Sequence, residues 1–80
     1  MVISAQVSIY PLRQQHLSPA IQAVTAAFQT RGLESQIGPM STVVTGEAEV
    51  VLAALHQAFE AAAATGHVVM TVTISNACPV

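Results

Sequence analysis

Charge is what this chain has least of. Two basic and four acidic side chains make up its formal charge, 8% of 80 residues, where an average soluble domain has about 25%. The basic pair, Arg13 and Arg31, leaves a net charge of -2. That excludes a nucleic-acid surface, which needs several Lys or Arg on one face, and an anionic membrane partner. No apolar run reaches the ~20 residues of a membrane-spanning helix. The N-terminus reads directly into a strand, with no basic leader and no cleavage site, so a cytoplasmic location is expected. The single cysteine, Cys78, excludes an internal disulfide and a multi-cysteine metal site.

Catalytic groups are equally sparse. There is no aspartate to orient a histidine and no G-x-S-x-G elbow around any serine. His16, His56 and His67 are far apart, and no two have the i, i+4 spacing of a helical metal site. His56 lies beside Gln57 and Glu60 and reads as a surface residue, His67 as a strand boundary, and Cys78 as a tail thiol. No catalytic residues, metal or cofactor are expected, and the chain is not read as an enzyme.

Against these absences the pattern of what is present is clear. In "ISAQVSIY" (3–10), Ile3, Ala5, Val7 and Ile9 alternate with Ser4, Gln6, Ser8 and Tyr10, the period of a half-buried strand ended by Pro11. Ser18-Pro19 predicts a helix start, with Leu17 as a staple. Ile21, Val24, Ala27 and Phe28 form its stripe and Gly32 its stop. "LESQI" (33–37) and "MSTVVT" (40–45), separated by Gly38-Pro39, predict a hairpin. Gly46-Glu47 opens a second helix with Val51, Leu55, Ala58, Phe59 and Ala62 as its stripe. Glu47 and Glu49 suit the positive end of its dipole, an effect of about 0.3–1 kcal/mol. Gly66 stops this helix, and "HVVMTVTIS" (67–75) is a last strand, with Val68, Met70, Val72 and Ile74 on one face.

This order is βαββαβ. Right-handed crossovers in both halves predict one α+β domain over 1–80: a ferredoxin-like sandwich, with a four-stranded antiparallel sheet and both helices on one face. The uncovered face would carry Gln6, Ser8, Tyr10, Gln36, Thr71, Thr73 and one register of residues 40–45, with Glu34 at its rim. A face left to water is ordinarily rich in Lys and Glu. One built of Ser, Thr, Gln and Tyr suits packing against another subunit, so a dimer or tetramer through the sheet face is expected. A small-molecule pocket at that junction fits the same residues.

Other small proteins of this fold need features that are missing. Metallochaperones need a C-x-x-C in the first loop, where "PLRQQHLS" has no cysteine. Acylphosphatases need a glycine-rich anion loop around an arginine, and the loop holding Arg13 has no glycine. RNA-binding versions need aromatic residues on the central strands and a basic surface.

The segments "VSIYPL" (7–12) and "RGLESQIGPMSTVVTGE" (31–47) are what the chain resembles a known family by: the thiamine-binding, YkoF-like proteins. The likeness covers essentially the whole chain. Its most specific part is G-P-M-x-T-x-x-x-G-E, met here by Gly38, Pro39, Met40, Thr42, Gly46 and Glu47. The chain departs from the family pattern at Thr45, where an acid is usual, and at "SNACPV", where basic residues are usual. The resemblance implies a sheet-paired oligomer that carries thiamine (vitamin B1), or its hydroxymethylpyrimidine moiety, without catalysis. It makes Gln6, Ser8, Tyr10, Glu34, Met40, Thr42 and Glu47 the candidate ligand-binding residues. Thr42, Ser8 and Gln6 could hydrogen-bond an aminopyrimidine, while Glu47 or Glu34 and the Tyr10 ring would suit a thiazolium cation. The shortage of Lys and Arg favours unphosphorylated thiamine over its diphosphate. The alternative is a structural or regulatory oligomerisation module with no small-molecule ligand.

Overall fold

The computed structural model describes residues 1–12, 18–38 and 41–77. Its elements are β1 (Val2–Pro11), α1 (Ser18–Thr30), β2 (Ser35–Ile37), β3 (Thr42–Glu47), α2 (Ala48–Ala63) and β4 (Val68–Ser75). The sheet order is β2-β3-β1-β4, antiparallel throughout. This is the ferredoxin-like arrangement that the element order predicts, with two helices packed on one face.

Alternation in β1 decides which face that is. Ile3, Ala5 and Val7 are buried, and the ladder pairs them with Gly46, Val44 and Thr42 of β3. They meet Phe28, fully buried from α1, and Val51, Ala54 and Ala58 from α2. Each stripe has one member at its margin. Ile21 of α1 is 38% exposed and Phe59 of α2 is 41% exposed. Ala20 and Ala54 are buried in the stripes instead, because small side chains let the helices approach the sheet.

The helix ends follow from local chemistry. Gly32 has φ of +70°, and its N–H donates to the Gln29 carbonyl at 2.9 Å. The Leu33 N–H donates to the Phe28 carbonyl at 3.0 Å, which completes the paired bonds of a Schellman stop. At the start of α2, Glu47 is both the last residue of β3 and the N-cap, with extended backbone and no side-chain capping bond. Its carboxylate instead meets the Met1 amino group at 3.1 Å, with both groups more than 60% exposed, an ion pair of little energetic weight. The Leu17 staple and the side-chain cap at Ser18 lie outside the described residues, as do Arg13, His16, Met40 and Cys78.

Candidate functional site

Two surfaces of the molecule are built from the residues that the sequence singles out. The first is the open face of the sheet. Its rows follow from the ladder: Gln36–Val43–Gln6–Thr73, then Thr45–Ser4–Ser75, then Ser8–Thr71 and Tyr10–Val69. Two hydroxyls meet across β1 and β3, Ser4 Oγ and Thr45 Oγ1, at 2.9 Å. Gln6 Nε2 donates to Ser41 Oγ at 3.0 Å. Glu47, opposite Val2, is the one charge on these strands' open face among the described residues. Val2, Val43 and Val69 stay 38–49% exposed on it.

The second surface is a cavity of about 300 Å³ between α1 and one end of the sheet. Val7 and Ile9 of β1 floor it, Ile21 and Val24 of α1 roof it, and Ile37, Gly38, Ser41 and Thr42 close it from the hairpin. Ser8 and Tyr10 also line it, and none of these described residues is charged. Thr42 is the buried polar residue of the described structure, 9% exposed. Its partner across the ladder is Val7, which puts both side chains on the helix side. Among the described residues its hydroxyl has no hydrogen-bond partner, and it borders the cavity. Among the described residues no fully buried side-chain polar atom lacks a partner, so this hydroxyl stays open to the cavity, where water or a ligand can bond to it.

The hairpin holds this end in shape. The Gly38 N–H donates to the Ser41 carbonyl at 2.7 Å, closing the turn between β2 and β3. Gly46, at the other end of β3, has a different task. A Cβ there would stand 2.7 Å from Leu33 Cδ2 and 3.4 Å from Val51 Cγ2, so the glycine makes room for two core side chains.

Of the residues singled out, the structure gathers Ser8, Tyr10 and Thr42 around the cavity. Gln6 lies on the other face of β1, one residue from Val7, and reaches the site only through its bond to Ser41. Glu34 and Glu47 are exposed and lie toward the far end of β2 and β3. Thr42 and Glu47 are five residues apart along β3, roughly 17 Å at strand rise. Met40 lies outside the described residues. Sequence reasoning places Ile21 and Val24 in the core and does not single out Ile37 or Ser41 as site residues. The available signal is the position of Ile21 at the margin of its helical stripe.

Among the described residues no cluster of three or more His, Cys, Asp or Glu could hold a metal ion. His56 Nε2 lies 3.1 Å from Glu60 Oε1 on the exposed side of α2, one turn along the helix. No described helix is long and apolar enough to cross a membrane.

A family model described as thiamine-binding protein matches residues 5–77. The chain belongs to the thiamine-binding protein family. That family is one of binding rather than catalysis, and the matched span includes the described lining of the cavity and most of the open face. Solved structures agree with the fold. A protein from Streptococcus pneumoniae is 28% identical with a TM-score of 0.85, over 94% of this chain and 86% of that one. A hypothetical protein from Methanocaldococcus jannascii is 25% identical with a TM-score of 0.84, over 94% of this chain and 79% of that one. A candidate thiamine biosynthesis/salvage protein from Thermotoga maritima shares the fold, at 17% identity and a TM-score of 0.81, over 94% of this chain and 83% of that one. No curated protein matches the chain.

Proposed function

We propose that this member of the thiamine-binding family takes up unphosphorylated thiamine, or its hydroxymethylpyrimidine moiety, and releases it unchanged. The observation that carries the reading is Thr42: a largely buried side chain in the motif segment whose hydroxyl has no hydrogen-bond partner among the described residues and borders a cavity with no charge among its described lining residues. A volume of about 300 Å³ is at the lower end of small-molecule sites, which run from ~300 to 1,000 Å³. An aminopyrimidine ring is flat and neutral, and it carries the donors and acceptors that Thr42 and the neighbouring backbone would bond. Apolar contact from Val7, Ile9, Ile21 and Val24 would cover its faces. The thiazolium cation has no carboxylate among the lining residues to meet, so it belongs at the mouth, by the Tyr10 ring.

This reading predicts similar affinity for thiamine and for hydroxymethylpyrimidine, and weaker binding of the diphosphate, which finds no cation among the described lining residues. Calorimetric titration with all three measures it. Loss of most affinity when the thiazolium is removed would count against seating the pyrimidine in the cavity. No binding at millimolar thiamine would count against the function itself.

The open sheet face supports a second part of the proposal, a homo-oligomer formed by stacking sheets. Its Ser, Thr, Gln and Val surface has one acid and no base on the described strands, and such a surface packs well against its own copy. If no ligand binds, that face is what favours an oligomerisation module. A cytoplasmic carrier is the setting this proposal expects.

A further inference from the structure

Val7, Ser8, Ile9 and Tyr10, consecutive residues of β1, all line the cavity. A strand shows alternate residues through its face and consecutive ones only along its edge, so the cavity meets β1 edge-on. β1 lies inside the sheet, between β3 and β4, and the register explains how part of it has an open edge. It pairs with β4 as far as Pro11, but with β3 only as far as Val7, opposite Thr42. One more rung would join Ser8 to Ser41. The ladder has no such rung, and Ser41 turns its carbonyl to the Gly38 N–H instead.

The pleat decides which groups face that gap. Successive residues of a strand point their backbone groups alternately to the two neighbouring strands. The Leu12 N–H donates to the His67 carbonyl, in register with the β1–β4 pairs, and the Met1 carbonyl accepts from the Ala48 N–H, in register with the β1–β3 pairs. Even positions of β1 therefore address β4, and odd positions address β3. Ile9 is odd, so its N–H and its C=O both face the gap, and nothing among the described residues pairs with them. A donor and an acceptor stand side by side there, next to the apolar side chains of Ile21, Val24 and Ile37.

Resting on the proposal that the cavity seats a pyrimidine, we infer that the Ile9 backbone is the group that recognises it, by the edge carrying its amino group. In an aminopyrimidine the amino group and the ring nitrogen beside it form a donor and acceptor pair. The ring nitrogen accepts from the Ile9 N–H, and the amino group donates to the Ile9 carbonyl, as an opposing strand residue would. The ring then extends the sheet past Thr42, with Ile21 and Val24 over one face. This clamp also sets specificity. An oxopyrimidine carries an acceptor oxygen beside a ring N–H, the reverse order, and so meets like with like at both positions. The ligand class is therefore uncharged heteroaromatic rings with an amino group next to a ring nitrogen.

Two measurements on the wild-type protein test the clamp. In amide-resolved hydrogen exchange, the ligand-free protein should show a fast Ile9 amide between slow Ser8 and Tyr10 amides, which address β4. Saturating hydroxymethylpyrimidine should slow Ile9 selectively. In calorimetric titration, the oxo counterpart, with oxygen in place of the amino group, should bind at least about 100-fold more weakly. An Ile9 amide already slow without ligand would overturn the clamp, because the donor would then have a partner. Hydroxymethylpyrimidine that binds while Ile9 stays fast, or that binds no better than its oxo counterpart, would overturn the clamp and leave the carrier function standing. Binding of neither thiamine nor hydroxymethylpyrimidine would overturn both.

Discussion

Thr42 pairs with Val7 across β3 and β1, and that register turns its hydroxyl toward α1 rather than toward Gln6. The neighbouring Ser41 points the other way and accepts the Gln6 side-chain bond at 3.0 Å. Both residues line the cavity, and Ser41 is also tied to the open face through Gln6.

Thr42→Val separates these roles. Valine keeps the shape of the side chain and removes the hydroxyl at the cavity. The ligand-free protein is expected to change by less than about 1 kcal/mol, because the hydroxyl has no protein partner to lose among the described residues and is open to the cavity. Binding of thiamine is expected to weaken by roughly one hydrogen bond, about 1 kcal/mol or fivefold. Denaturant melts with and without thiamine measure both, and a loss confined to the thiamine-bound protein is the signature. A variant destabilised without ligand would mean that the hydroxyl has a structural partner.

Gly46→Ala tests why the motif glycine is there. Its new Cβ would sit 2.7 Å from Leu33 Cδ2, a side chain 8% exposed that has little room to yield. Overpacking of this kind costs about 1–3 kcal/mol. Urea denaturation should show a lower midpoint with an unchanged slope. Adding Leu33→Val removes the atom in the way, so the double variant should be less destabilised than the sum of the two single changes. Additive losses would assign the glycine to backbone conformation instead.

Much of the fold was legible because the two periodicities are clean. Ile3, Ala5, Val7 and Ile9 alternate without interruption, and Gly32 and Gly66 end the helices where their φ values of 70° and 142° require glycine. β3 was not legible in the same way. Ser41, Val43 and Thr45 are as mixed as Thr42, Val44 and Gly46, so hydrophobicity alone does not choose the inner face. The ladder with β1 chooses it, and Gly46 is the local sign, since only the packed side needs a missing Cβ. Sequence therefore grouped Thr42 with Gln6 and Ser8 when the pleat divides them. The cavity was hidden for a related reason: Ile21 continues an apolar stripe by spacing, and only the tertiary fold leaves it beside an opening.

The stop at Gly32 gives a prediction that depends on backbone alone. No atom lies within 4 Å of a Cβ added there, but φ is +70°. Gly32→Ala is expected to cost about 1 kcal/mol for holding alanine in the left-handed region. For a domain of this size that lowers Tm by roughly 4–8 °C. Gly32→Asn should lose less, because asparagine tolerates that conformation. Calorimetric scans of the two variants measure the order, and equal losses would point to a steric cause.

Thr45→Lys tests the stacked sheets. Thr45 is exposed on the open face, where its hydroxyl meets Ser4 at 2.9 Å. Losing that bond costs at most about 0.5–1.5 kcal/mol and leaves the β1–β3 ladder intact. If a second copy covers this face, each new ammonium must enter the contact without an acid opposite, apart from Glu47 at its rim. Truncated or unpaired charge at a buried contact costs about 2–5 kcal/mol, enough to raise a micromolar dissociation constant at least 30-fold. The assembly mass by sedimentation at micromolar protein should then fall. An unchanged mass would show that the open face is not where the subunits meet. Its uncharged rows would then need a different covering partner.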